Sequence, residues 1–149
     1  MNIRKEYKNV LREIIKATNN VDTKRSDVLL NIIKLTNIKN KFNLIDYYNM
    51  FKPNVKKCYS ILNTDASMDG DGVHWVAIYQ NNDIIYIYDS FARKNIMKPF
   101  IDKMNNLGCK CVYTNKKSDQ GILQENCGIR SLLWLLFVDK YGIDKARLI

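Results

Sequence analysis

The segment Cys127–Tyr141 constrains the fold more than any other part of the chain. Its apolar residues follow a helical spacing, and Gly142 stands where helices commonly end. Within it, the seven residues from Leu132 to Val138 are all apolar, so the helix has almost no polar face to present to water. This run is far too short to span a bilayer. The sequence therefore predicts a helix that runs through the middle of the protein.

Shorter patterns predict an α+β domain around that helix. The spacing of apolar residues predicts further helices at 3–18, from Ser26 onward with that serine as N-cap, and at 95–107 with Gly108 as the stop. Runs of β-branched and aromatic residues predict strands at 58–62, 73–80, 84–89 and 110–113. Residues 43–51 are assigned to a short helix or turn. We expect a mainly antiparallel sheet packed against the central helix.

The strands at 73–80 and 84–89 are predicted to form a hairpin inside the sheet, because both are apolar on both faces. With the turn centred on Asn81-Asn82, His74 lies directly opposite Asp89. Opposed residues point to the same face, with Cβ atoms roughly 4.5–5.5 Å apart. A carboxylate at that distance can fix the tautomer of an imidazole and support its charged form. A purely structural Asp–His pair is the alternative interpretation.

Cys127 occupies the first position of the central helix and is followed by Gly128. A helix N-terminus favours the thiolate, which is the reactive form of cysteine. Gly128 would let a substrate backbone approach closely. The backbone N–H of Cys127, with the side-chain amide of Gln120 or Gln124, could hold an oxyanion. The alternative is that Cys127 is a small buried hydrophobic residue.

Three segments together resemble the adenovirus-type maturation proteases, whose clan includes proteases that act on SUMO-like proteins. They are Gly72-Val-His-Trp75, Asp89-Ser-Phe91 and Gln120-Gly-Ile-Leu-Gln-Glu-Asn-Cys-Gly128. The order of histidine, acid, glutamine and cysteine is that of the clan. The Gln-Gly pair begins seven positions before the cysteine, which is similar to the adenoviral spacing. The likeness covers about residues 45–140, and Asp89 stands where the adenoviral enzymes commonly have glutamate.

The resemblance implies a catalytic triad. Cys127 would be the nucleophile, His74 the general base and Asp89 the residue that orients the histidine. Gln120 would help to form the oxyanion hole. Trp75 would shape the substrate groove, with a core tryptophan as the alternative. The implied fold is adenain-like, with the nucleophile at the N-terminus of the buried helix.

The implied function is a viral cysteine endopeptidase that cleaves capsid or core precursors after small residues during virion maturation. It would work in the virion and in the infected host cell. Residues 1–149 would form one protease domain, with an N-terminal helical part at 1–40 and a catalytic core at 56–142. Three alternatives stay open: an isopeptidase for ubiquitin-like proteins, an acetyltransferase, and a basic nucleic-acid-binding module without catalysis.

The net charge of +9 fits either a lysine-rich surface or an anionic partner such as nucleic acid. By resemblance, DNA and a short viral peptide are candidate activators. Cys109 is similar in position to the cysteine that links this peptide in the family. No cofactor is expected to be required, a zinc site fits poorly, and we expect a monomer without membrane contact. The charged N-terminus lacks a secretory pattern, so reduced thiols are expected.

Overall fold

The computed structural model describes residues 1–23, 25–53, 57–64, 74–90, 92, 97–115, 118 and 126–149. The α-helices in these ranges are α1 (Ile3–Ala17), α2 (Ser26–Lys34), α3 (Lys98–Asn106), α4 (Cys127–Tyr141) and α5 (Ile143–Ala146). The strands are β1 (Phe42–Tyr47), β2 (Cys58–Asn63), β3 (Trp75–Asn81), β4 (Ile84–Tyr88) and β5 (Lys110–Tyr113). Single turns of 3-10 helix flank β1 at Lys39–Lys41 and Tyr48–Met50.

Helix α4 is buried along most of its length, as its composition predicts. Eleven of its fifteen residues are buried, and its bounds match the prediction. It packs on β2 and β3, while α1, α2 and α5 contact its other sides. Trp134 is fully buried and stacks on Tyr88 of β4, with ring centroids 5.4 Å apart. Gly142 ends the helix at a φ of +86°, which few other residues adopt readily.

The first two helices form as predicted, with one correction. α1 buries a stripe at a four-residue spacing, made of Ile3, Tyr7 and Leu11. α2 buries Leu29 and Ile33. The prediction that Ser26 is the N-cap is wrong: Ser26 is already helical, and the preceding residue occupies the cap position without a side-chain hydrogen bond.

The sheet has the strand order β1-β2-β3-β4-β5 and is mixed. The central pairs β2–β3 and β3–β4 are antiparallel, whereas the outer pairs β1–β2 and β4–β5 are parallel. With the helices, this confirms the α+β class. The prediction of a helix or turn at 43–51 is wrong for 43–47, where β1 pairs with β2 and Phe42 packs edge-on against Tyr59. Helix α5 was not predicted.

Both faces of the central hairpin are covered, as its sequence predicts. One face carries Trp75, Ala77 and Tyr88 into the cluster around α4. The other carries Val76, Ile78, Ile85 and Ile87 into a second cluster with residues of α3. The end of β3 that leads into the site is therefore fixed between two layers of side chains.

The turn of this hairpin lies one residue later than predicted. Asn81 pairs with Ile84, so the turn residues are Asn82 and Asp83 rather than Asn81-Asn82. Asn82 has a φ of +56°, a left-handed conformation that asparagine tolerates better than most residues. The register therefore shifts by two residues, and His74 is not directly opposite Asp89. Because side chains alternate with a period of two, a shift of two leaves both residues on the same face.

Candidate active site

His74 and Asp89 lie just beyond the paired ends of β3 and β4. The Nε2 atom of His74 lies 2.5 Å from Oδ1 of Asp89. Both residues are buried, with Asp89 only 1% exposed. The contact predicted from the hairpin is therefore present, but the two side chains meet diagonally because the register differs. Of the two ring nitrogens of His74, it is Nε2 that faces the carboxylate.

Cys127 is the first residue of α4 and is buried. The backbone N–H of Trp75 donates a hydrogen bond to its Sγ over 3.3 Å. The hydroxyl of Ser131, one turn further along α4, donates to the carbonyl of Trp75 over 3.2 Å. Trp75 thus links the first turn of the helix to the start of β3. A helix N-terminus and an N–H donor both favour negative charge on the sulfur.

The imidazole of His74 is held between Asp89 and Cys127. Burial by itself lowers the pKa of His74, but hydrogen bonds to the side chains of Asp89 and Cys127, together with their charges, raise it to about 9. At neutral pH the protonated ring is therefore favoured. An imidazolium beside a thiol is the environment in which cysteine becomes nucleophilic. The carboxylate of Asp89, the imidazole of His74 and the thiol of Cys127 are therefore next to one another in that order.

Two further residues hold Asp89 and were not singled out from the sequence. The hydroxyl of Tyr113 donates to Oδ2 of Asp89 over 2.5 Å. The side-chain amide of Asn115 accepts from the backbone N–H of Asp89 at 3.1 Å and donates to its carbonyl oxygen. Both follow from the parallel pairing of β5 with β4, which places Tyr113 beside Ile87. No motif in the sequence signals that pairing.

The structure places Trp75 and Gly128 beside the nucleophile, each with a packing role. The Trp75 side chain is 4% exposed and belongs to the core, and its backbone is what reaches the sulfur. A Cβ atom on Gly128 would lie 2.8 Å from both the Cδ1 atom of Leu29 and the carbonyl oxygen of Thr23. Helix α2 and the segment before it therefore fill the space beside Gly128. Substrate contacts at both residues stay predictions.

The predicted side-chain donors for the oxyanion, Gln120 and Gln124, lie outside the described residues. Cys109 is a half-buried free thiol near the turn of the hairpin, at the end of the sheet opposite to His74. It lines a cavity of about 600 Å³ together with Pro53 and Gln80. The disulfide to a peptide that the resemblance implies at this residue stays a prediction.

Across the described ranges, no group of three or more His, Cys, Asp or Glu side chains is arranged to bind a metal ion. In the same ranges, no helix combines the length and the apolar character needed to cross a membrane. Comparison with models of known protein families gives no match, and comparison with curated proteins gives no significant match. A function for the chain therefore has to be inferred from His74, Asp89 and Cys127.

Proposed function

We propose that this chain is a cysteine endopeptidase of the adenovirus type, which cleaves viral capsid or core precursor proteins after small residues during virion maturation. One observation carries the proposal: a buried imidazole hydrogen-bonds to a carboxylate through Nε2 and interacts electrostatically with a thiol at a helix N-terminus. The three motifs that carry the resemblance contain these same residues. The buried helix α4, packed on the strand that follows the base, supports an adenain-like fold.

The proposed reaction is hydrolysis of a peptide bond through a thioester. His74 holds the proton that Cys127 has given up, and the thiolate attacks the carbonyl carbon of the substrate. Backbone N–H groups at the start of α4 and the amide of Gln120 hold the developing oxyanion. His74 then gives its proton to the leaving amine as the C–N bond breaks. A water molecule, deprotonated by His74, attacks the thioester and releases the acid product and the thiol.

Helix α1 carries a basic surface that could bind an anionic partner. Arg4, Lys8 and Arg12 recur every four residues on the exposed side of this helix, and Lys5 lies beside them. Like charges at this spacing repel one another, and an anion relieves the repulsion. This surface supports non-specific binding of DNA, which would hold a monomeric enzyme and its substrates on one polymer in the virion or the infected cell.

The decisive experiment compares wild-type protein with a Cys127→Ser variant on two substrates. One is a peptide taken from a capsid precursor with a small residue before the cleaved bond, and the other is a SUMO-type fusion. We expect the wild type to cleave the peptide, and Cys127→Ser to lose activity by roughly 10³-fold or more because serine at this site lacks the activated thiolate. A Cys58→Ser variant is the matched control, since Cys58 lies on β2 away from His74.

Cleavage that persists in Cys127→Ser would end the proposal. Turnover of the SUMO-type fusion in preference to the peptide would favour the isopeptidase alternative. Consumption of acyl-CoA without peptide cleavage would favour an acetyltransferase. Binding of DNA with no selective alkylation of any cysteine would favour a non-catalytic basic module.

A further inference from the structure

The side chain of Asn115 pairs with the backbone of Asp89 as a neighbouring strand would. Its Oδ1 accepts the Asp89 N–H, and its Nδ2 donates to the Asp89 carbonyl, so both backbone groups of one residue bond to one amide. Just before it, Thr114 donates both its N–H and its hydroxyl to the carbonyl of Ile87. The ladder between β4 and β5 is thereby extended to the residue that carries the carboxylate.

The hydroxyl of Tyr113 determines how the carboxylate of Asp89 is turned. It donates to Oδ2, while Oδ1 faces His74, so both oxygens have a defined partner. Burial, and then the hydrogen bond to Asp89 and its charge, raise the pKa of Tyr113 far above its ordinary value. The hydroxyl therefore keeps its proton at any working pH and can donate it in the hydrogen bond to Oδ2 of Asp89.

From these contacts we infer that Tyr113 and Asn115 are positioning residues for the proposed hydrolysis: Asn115 fixes the backbone of Asp89, and Tyr113 fixes its carboxylate and shares its negative charge with His74. The inference rests on the proposed function of the site, but it concerns residues of β5 and the segment after it. Neither side chain reaches the sulfur in this scheme; each acts on it through Asp89 and the imidazole.

The hydrogen bond from Tyr113 to Asp89 should change the pKa of His74 in a direction that can be measured. The O–H dipole of Tyr113 points its positive end at the carboxylate, and so weakens the attraction between Asp89 and a protonated His74. Removing the hydroxyl should leave more negative charge for the imidazole and raise its pKa. Removing the hydrogen bonds from Asn115 to the backbone of Asp89 should let the carboxylate move away from His74. The pKa of His74 should then fall.

His74 is the one histidine of the chain, so its titration can be followed by NMR without assignment of other imidazoles. We expect Tyr113→Phe to raise the pKa of His74 by about half a pH unit and to lower kcat roughly 3- to 10-fold with KM little changed. Asn115→Ala should lower the pKa by about the same amount. Tyr86→Phe is the matched control: this tyrosine stacks on Tyr79 in the same sheet, and its loss should leave the titration unchanged.

An unchanged or lowered pKa in Tyr113→Phe would overturn the inference, provided that thermal unfolding shows the variant to be folded. Should Asn115→Ala fail to fold, the tyrosine variant still decides. The two proposals can fail separately. A shifted titration in a protein without peptidase activity would support the positioning role and reject the proposed function, whereas normal turnover with an unshifted titration would do the reverse.

Discussion

Replacing Asp89 with asparagine should flatten the dependence of stability on pH above neutrality. The folded chain raises the pKa of His74 from 6.5 to about 9, because Asp89 and Cys127 outweigh the opposing effect of burial. Between these pH values the folded state binds more protons than the unfolded state. This stabilisation is fully present below pH 6.5 and is lost as the pH rises through 9. At about 1.4 kcal/mol per pH unit, it amounts to roughly 3 kcal/mol.

Asparagine keeps the size of the side chain, the clamp from Asn115 and an acceptor for Tyr113, so the variant should fold. It removes the charge, and most of the pH-dependent stabilisation with it. Urea unfolding under reducing conditions from pH 6 to pH 9 measures the effect as the change in the free energy of unfolding. We expect that free energy to fall less steeply in Asp89→Asn than in the wild type, with a difference of roughly 2–3 kcal/mol over this range.

Asp139→Asn provides the control for that measurement. The Asp139 carboxylate bonds to Lys41 and Tyr59, and the bond to Lys41 lowers its pKa most. Its contribution is lost as the pH falls into the acid range, so the variant should keep the alkaline slope of the wild type. If the free energy of unfolding varies with pH in parallel for the wild type and Asp89→Asn, the reasoning is refuted. The raised pKa of His74 would then not depend on the charge of Asp89.

Three further outcomes are expected. Gly128→Ala should lose roughly 1–3 kcal/mol of stability by overpacking, and a thermal unfolding temperature equal to that of the wild type would contradict this. Ser131→Ala should cost about 1 kcal/mol, since the hydrogen bond from its hydroxyl to the carbonyl of Trp75 is lost, and denaturant unfolding measures the loss. Iodoacetamide at pH 7 should modify Cys127 before Cys111, whose pKa is raised to about 11 by burial and by the neighbouring Cys109. Peptide mapping that finds Cys111 modified first would be evidence against an activated thiol at Cys127.

Local patterns sufficed for much of the fold. Helix α4 and strand β5 have the bounds that their residue patterns predict, because Gly142 and Gly108 punctuate the chain there. Strand β1 was missed because its state depends on pairing with β2, a contact made across the sheet. The parallel outer pairs were missed for the same reason: no turn residue marks a crossover.

The candidate site likewise combines one contact that local patterns predicted with several that they could not predict. The contact between His74 and Asp89 was found despite an incorrect register, since any even shift keeps two side chains on one face. Tyr113 and Asn115 were not found because they reach Asp89 from a strand that is distant in sequence. The hydrogen bond from the N–H of Trp75 to Cys127 was not predicted either. Almost every residue has a backbone N–H, so the residue type does not indicate which one contacts the sulfur.

The acid and the base sit together on one hairpin, whereas the sulfur arrives on a separate helix that docks through the peptide group of Trp75. A molecule whose helix has come away from the sheet would keep its imidazole–carboxylate pair and yet have nothing to attack with. Only a molecule in which the helix is docked on the sheet could then hydrolyse a peptide bond. Copies in which the helix has not docked, whether newly made or damaged, would therefore leave the proteins around them uncleaved.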